Sequence, residues 1–406
     1  MKRYGLLGER LSHSYSPEIH GLLADYEYKL YEVEREGLDG FFESTALDGF
    51  NVTIPYKRDV MKYLAGISDT ARHMGSVNTV VRRADGFFGD NTDAYGFEYT
   101  VKKSGIDVKG KKALVLGSGG ASGTAVKVLE QMGAREVVVI SRSGEDNYSN
   151  LERHYDADVI VNATPVGMYP NTDAAPLDLL PFGRLAGVID MIYNPARTML
   201  LAQAEELKIP CINGLTMLVA QAKRAAELFE DRTIDDSVID AAVRTLEGRM
   251  KNIVLIGMPG SGKSTVAERL SKMLGREVLD SDAELERDTG MKIPYIIENM
   301  GEAEFRRLET ETLKKLCKGS GKIIATGGGC VTVEENYKIL RQNAAVVLIK
   351  RDLDKLATKG RPLSAKNGVK QLYERRRALY EKIADLEVEN NKTPKITAER
   401  ILDLLK

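Results

Sequence analysis

With 406 residues, 58 Lys and Arg against 59 Asp and Glu, and a net charge of −1, the chain has no global attraction for nucleic acid or an anionic membrane. No apolar run approaches the roughly 20 residues of a membrane span, and Met1-Lys2-Arg3-Tyr4-Gly5 leads into a strand rather than a signal core. Three scattered cysteines (Cys211, Cys317, Cys330) argue against a disulfide framework or structural zinc, and four histidines without ligand spacing (His13, His20, His73, His154) read as surface or core residues. The length implies two or three domains. Alternating helix-like and strand-like stretches predict an α/β, cytoplasmic enzyme with mainly parallel sheets.

Residues up to about 93 read as short strands, a helix from Pro17 to about Asp25, and several polar clusters. Ser14-Tyr15-Ser16-Pro17 puts two hydroxyls at a helix start, where they suit either a cap or the holding of a carboxylate. Asn51-Val52-Thr53-Ile54-Pro55-Tyr56-Lys57 alternates like a strand end and breaks at Pro55. Ser76-Val77-Asn78-Thr79 and Asp90-Asn91-Thr92-Asp93 are dense in short hydrogen-bonding side chains, as turns are, and the second leads into a helix reaching about Lys103.

Lys111 to about Gly214 reads as strand–helix repeats. There Ala113-Leu114-Val115-Leu116 runs into Gly117-Ser118-Gly119-Gly120-Ala121-Ser122-Gly123, a layout that aims backbone N–H groups at a phosphate. It lacks the lysine a triphosphate needs and so suits a dinucleotide, although the third glycine of the usual pattern falls on Ser122. The next strand, Glu136 to Ile140, ends at Ser141-Arg142-Ser143, where a dinucleotide fold reads the adenosine ribose. Arg142 suits the 2′-phosphate of NADP, while Glu145 and Asp146 keep NAD open. Met217 to Glu247 predicts a helical tail that packs back on the first lobe.

These blocks, with Asn162-Ala163-Thr164-Pro165-Val166-Gly167-Met168 and the run from Asn213 to Ala222, resemble the shikimate dehydrogenase family over nearly all of residues 1–247. The resemblance implies a two-lobed enzyme, with residues 1–93 plus 215–249 binding substrate and 94–214 forming a Rossmann-like NADP lobe. Ser14 and Ser16 would then hold the substrate carboxylate, Thr53, Asn78 and Gln221 its hydroxyl face, and Tyr193 would line the site. Lys57 and Asp93 would flank the reacting oxygen, with Gly214 and Met217 beside the nicotinamide. Such roles make chemical sense. Hydride addition to a ketone develops negative charge on oxygen, which an ammonium oriented by a carboxylate stabilises and protonates. The chain departs locally, with Ser141-Arg142-Ser143 where relatives often have Asn-Arg-Thr, and Gly123 where a basic residue is common.

A helix-like segment from Asp235 to Glu247 is expected to end at Gly248, and Met250 reads like the start of a second protein joined with almost no linker. After Ile253-Val254-Leu255-Ile256 comes Gly257-Met258-Pro259-Gly260-Ser261-Gly262-Lys263-Ser264-Thr265, a complete Walker A loop. Lys263 would meet the β/γ-phosphates of ATP and Ser264 a magnesium ion. Asp280-Ser281-Asp282 ends another strand-like run, and i, i+2 spacing on an extended chain aims both carboxylates the same way, although a helix cap explains such a pair as well. Arg306 sits on a predicted helix, where solvation is the plain expectation. Gly327, Gly328 and Gly329 follow a strand, a conformational cost expected where backbone must touch a ligand.

This second set resembles shikimate kinase, a P-loop, NMP-kinase-like α/β domain, over residues 250–406. The likeness gives Asp282 to the reacting hydroxyl, Arg306 and Arg377 to the shikimate carboxylate, and the three glycines to the ring. Asp280 would support magnesium and Arg361 would reach in from a lid. Together the two halves imply NADPH-dependent reduction of 3-dehydroshikimate followed by ATP-dependent phosphorylation of shikimate. A quinate- and NAD-using first half, or a shikimate sensor with one inactive half, are the rivals. Small-molecule substrates rather than nucleic acid or membrane are the expected partners, and association into a homo-oligomer is left open.

Overall fold

The computed structural model describes residues 2–11, 14–356 and 368–405. It separates into two compact units, Met1–Tyr193 with Thr198–Leu246, and Asn194–Arg197 with Glu247–Lys406.

The first unit holds two sheets. β1 (Arg3–Gly8), β2 (Glu27–Glu32), β3 (Gly49–Val52), β4 (Gly66–Ile67), β5 (Thr79–Arg83) and β6 (Gly86–Asp90) make a mixed sheet in the order β2-β1-β3-β5-β6-β4. β7 (Lys112–Leu116), β8 (Glu136–Ile140), β9 (Val159–Asn162), β10 (Gly187–Asp190) and β11 (Cys211–Ile212) make a wholly parallel one in the order β11-β10-β9-β7-β8. Its inner strands are covered on both faces, which is why β7 and β9 read as continuous apolar runs rather than alternating ones. Around the sheets lie α1 (Ser16–Leu23), α2 (Leu38–Ser44), α3 (Asp69–Met74), α4 (Asp93–Ser104), α5 (Gly120–Gln131), α6 (Met199–Glu206), α7 (Leu215–Glu230) and α8 (Ser237–Met250).

Three expectations change. The helical tail is two helices, because Asp231 takes a left-handed conformation (φ +52°) that closes α7. The strand–helix repeats lapse after β8, since only a short 3-10 turn (Leu151–His154) precedes β9 and no α-helix intervenes between β9 and β10. α8 does not stop at Gly248 but continues to Met250, whose side chain is buried. Packing there outweighs the penalty of about 1 kcal/mol for a glycine inside a helix.

In the second unit β12 (Asn252–Ile256), β13 (Val278–Asp280), β14 (Ile323–Ala325), β15 (Ala344–Lys350) and β16 (Leu386–Glu389) form a parallel sheet in the order β13-β14-β12-β15-β16. Its helices are α9 (Lys263–Leu274), α10 (Ser281–Thr289), α11 (Ile293–Met300), α12 (Glu302–Cys317), α13 (Glu335–Arg341), α14 (Val369–Ile383) and α15 (Pro394–Leu404). The glycine loops leave the carboxyl ends of β7 and β12, where successive connections diverge to either side; open parallel sheets bind ligands at such points. Among the described residues no helix is long and apolar enough to cross a membrane.

Candidate active sites

In the first unit a cavity of about 550 Å³ is lined by Ser14, Ser16, Thr53, Lys57, Asn78, Asp93, Tyr193 and Gln221, so all eight residues expected for substrate and proton transfer meet there. Each arrives from a different local structure. Ser14 donates to the Ser16 hydroxyl at 3.1 Å, at the entry to α1, where Pro17 in the first turn needs no N–H partner. Thr53 and Lys57 follow β3. Asn78 precedes β5; its Oδ1 accepts from the Thr92 N–H at 2.7 Å and its Nδ2 donates to Gln221 Oε1 of α7 at 3.2 Å. Asp93 opens α4, where the helix dipole favours a carboxylate. Lys57 Nζ reaches Asp93 Oδ2 at 2.6 Å, with both side chains mostly buried.

Sequence reasoning missed three polar members of this wall, Arg10, Asn51 and His20. Asn51 ties the floor together, accepting from the Tyr28 hydroxyl at 2.8 Å and donating to Thr79 at 3.0 Å. His20 stacks on Tyr28 with ring centroids 3.9 Å apart, and its Nδ1 bonds the Tyr26 hydroxyl at 2.6 Å. Burial pushes its pKa down to about 3, so it is neutral at physiological pH. Lys57 is the cation paired with Asp93.

The dinucleotide loop behaves as its sequence asks. Gly117 adopts φ +104° and packs so tightly that a Cβ would stand 3.1 Å from Thr164. Gly119 caps α5, and Gly119, Gly120 and Ala121 are exposed at its open amino end. Ser122, in place of the third glycine, is buried within α5. Beyond β8, Ser141 is buried and its N–H bonds the Asp146 carbonyl, while Arg142 and Ser143 are exposed. Glu145 and Asp146 do not both face the ribose position freely, since Asp146 is engaged by His154 at 2.9 Å. Gly214 caps α7 against the Met191 carbonyl, leaving no room for a side chain, and Met217 lies one turn on.

The second unit has a cavity of about 810 Å³. Gly260, Gly262, Lys263, Ser264 and Thr265 line it from the Walker loop, Asp280 and Asp282 from the end of β13 and the start of α10. Ser261 is fully buried beneath the loop, its carbonyl held by Asn390 at 2.8 Å. Lys263 Nζ donates to the carbonyls of Gly257 and Met258. Asp280 and Asp282 do not share an extended strand. Asp280 caps α10 by accepting from the Asp282 and Ala283 N–H groups, and its other oxygen accepts from Ser264 at 2.8 Å. One residue thus both caps the helix and lines the cavity. Asp282 lies in the first helical turn, and burial first, then the neighbouring Asp280, push its pKa up against the pull of Lys263 and Arg306.

Arg306 is not solvated; it is largely buried, pairs with Glu309 at 2.7 Å and Glu302 at 3.2 Å, and lines the cavity. The glycine triplet exists partly to make room for these side chains. A Cβ on Gly327 would stand 2.6 Å from Asp282 Oδ1, and one on Gly329 would collide with the Arg306 guanidinium.

One assignment is corrected. Arg377 is exposed, pairs with Glu381 at 2.8 Å and does not line this cavity. Its neighbour Arg376 is buried, donates to the Gly328 carbonyl at 3.0 Å and does line it. Arg361 lies outside the described residues.

A family model described as shikimate dehydrogenase substrate binding domain matches residues 6–80, and one described as shikimate kinase matches residues 259–406. The NADP(+)-dependent shikimate dehydrogenase of Clostridium beijerinckii is 36% identical over 270 residues, covering 62% of this chain and all of the relative. A chorismate mutase/shikimate 5-dehydrogenase fusion protein from Clostridium acetobutylicum superposes with a TM-score of 0.59 at 37% identity, over 61% of this chain and 97% of that one. Shikimate 5-dehydrogenase from Thermus thermophilus, solved with NADP(H) and shikimate, gives 0.55 at 32% identity, over 60% and 99%. The chain belongs to the shikimate dehydrogenase family and carries a shikimate kinase domain behind it, so that one polypeptide holds an NADP-dependent oxidoreductase and an ATP-dependent phosphotransferase.

Proposed function

We propose that the first unit reduces 3-dehydroshikimate to shikimate and the second phosphorylates the shikimate 3-hydroxyl. The observation that carries the first step is the Lys57–Asp93 pair at 2.6 Å inside a cavity it shares with the hydroxyl and amide side chains of Ser14, Ser16, Thr53, Asn78 and Gln221. Ser14 and Ser16 hold the carboxylate, Thr53, Asn78 and Gln221 bind hydroxyls, and Tyr193 closes the wall. Bound NADPH supplies the hydride. Lys57 stabilises the developing alkoxide and delivers the proton, and Asp93 fixes the ammonium where that charge appears. Gly117, Gly119 and the amino end of α5 suit the pyrophosphate, and the exposed Arg142 suits the 2′-phosphate. Arg142→Ala is expected to weaken NADPH about tenfold or more, the value of a charge-assisted bond, and to leave NADH within about twofold. Equal losses would remove Arg142 from cofactor choice. Initial rates with shikimate and NADP against quinate and NAD test the substrate directly; faster turnover of the second pair would overturn the reading.

In the second unit Asp282 orients the shikimate hydroxyl and accepts its proton, and Arg306 and Arg376 hold the carboxylate. Lys263 neutralises phosphate charge. The oxygens of Ser264 and Asp280, 2.8 Å apart, suit a hard divalent cation, and magnesium held there would supply positive charge to offset that of the nucleotide phosphates. Arg376→Met is expected to raise the KM for shikimate about tenfold or more, whereas Arg377→Met leaves it within about twofold. The reverse pattern would restore the assignment to Arg377.

A further inference from the structure

We infer that Arg351 is a second cationic contact for the nucleotide polyphosphate, acting beside Lys263. The inference rests on reading the 810 Å³ cavity as the ATP site. β15 lies next to β12 in parallel register, Leu348 opposite Ile256, so the two strands end on the same edge of the sheet. The Walker loop leaves that edge from β12, and Arg351 is the first residue past β15. Its guanidinium is thereby brought to the back of the loop. A Cβ on Gly262 would stand 3.7 Å from Arg351 Nη1, and Arg351 lines the phosphate cavity together with Gly262 and Lys263.

The guanidinium is not explained by a structural ion pair. Its Nε is buried and has no hydrogen-bond partner among the described residues. The nearest acid in sequence, Asp352, is taken by Lys355 at 2.7 Å and by Asn391 at 2.8 Å. A buried donor left unpaired is unfavourable unless a ligand completes it. The planar fork of arginine matches phosphate oxygens, and the site is already set up for anions by the amino end of α9 and by Lys263. Asn390, which the same Gly262 Cβ would meet, ties down the loop by donating to the Ser261 carbonyl at 2.8 Å, which holds the loop beside the cation. Polyphosphate, rather than the base, is the group at this distance from Gly262.

Calorimetric titration of the full chain tests this with MgADP, adenosine and shikimate as separate probes. Arg351→Met is expected to weaken MgADP about tenfold or more, with adenosine and shikimate unchanged within about twofold. Arg351→Lys, which keeps the charge and the packed stem but loses the fork, should fall between. Dehydrogenase turnover and a cooperative unfolding transition report folding in each variant. MgADP binding like wild type in Arg351→Met overturns the inference while leaving the ATP site standing, as does an equal loss of MgADP and adenosine. Failure of the wild-type chain to bind MgADP removes the site itself and the inference with it.

Discussion

Lys57→Ala is expected to lower reductase turnover about 10²–10⁴-fold, the usual worth of a positioned proton donor, and to leave phosphorylation of added shikimate unchanged. Arg10 lines the same cavity, but the carboxylate of Asp93 is paired with Lys57. Lys57 is the cation in contact with Asp93, and Asp93 is anchored at the amino end of α4 with its own N–H bonded to Asn91. His20 cannot take over. Its Nδ1 is engaged by Tyr26 and its pKa is pushed down to about 3 by burial, so it carries no exchangeable charge at neutral pH. Asn78, Thr53 and Gln221 bind but do not titrate, so substrate affinity should survive better than turnover. The measurement is NADPH consumption with 3-dehydroshikimate, alongside ADP release with shikimate. A variant keeping more than half its reductase rate would take Lys57 out of the chemistry.

Asp282→Asn is expected to cut shikimate phosphorylation by a similar factor, about 10²–10⁴, while MgADP binds as before, because the Walker loop and Ser264 are untouched. The fold raises the Asp282 pKa, chiefly by burial. A carboxyl raised in the folded state holds its proton more tightly there than when unfolded. Its contribution to stability is therefore fully present below the unfolded pKa and is lost as pH rises through the folded one. Burial thus works against the charged form of Asp282, and Lys263 and Arg306 offset part of that cost. Removing the charge should leave the thermal midpoint at pH 7 equal to or above that of the wild type. Unchanged phosphorylation in this variant would move the acceptor-orienting role elsewhere, and a lower midpoint would contradict the burial argument.

The sites were legible where glycine, proline and short polar residues are forced by backbone geometry. The turn after β7, the Walker loop and the clusters around Ser14, Asn78 and Asp93 all place side chains or N–H groups within a few residues of a strand end, a local relation that sequence preserves. The single-residue error at Arg377 arose because Arg375-Arg376-Arg377 offers three choices and a motif read linearly does not choose. Helical spacing does choose. Leu372, Arg376, Tyr380 and Ile383 are buried along one face of α14, so Arg376 lies on the stripe that meets the glycine loop and Arg377 lies about 100° round. Periodicity anchored on Leu372 and Tyr380 would have found it. His20 and Asn51 were harder, because their positions depend on β2 and β3 flanking β1, a pairing set by the whole sheet. The continuation of α8 past Gly248 depends on Met250 being buried, again a tertiary fact. Local sequence alone reads Arg306 as a solvated helix residue, and only the family resemblance points it at the substrate, because nothing local shows that Gly329 leaves space for its guanidinium.

We propose that one chain carries out two consecutive steps on one small acid. Incubation of the full chain with 3-dehydroshikimate, NADPH, ATP and magnesium tests that claim most directly, with product identified by mass spectrometry. The predicted result is NADPH loss matched by ADP release and accumulation of shikimate 3-phosphate. Omitting ATP should stop the sequence at shikimate, and omitting NADPH should prevent both signals. ADP release independent of NADPH, NADPH loss with no phosphorylated product, or no reaction unless quinate and NAD replace the first pair would each contradict it.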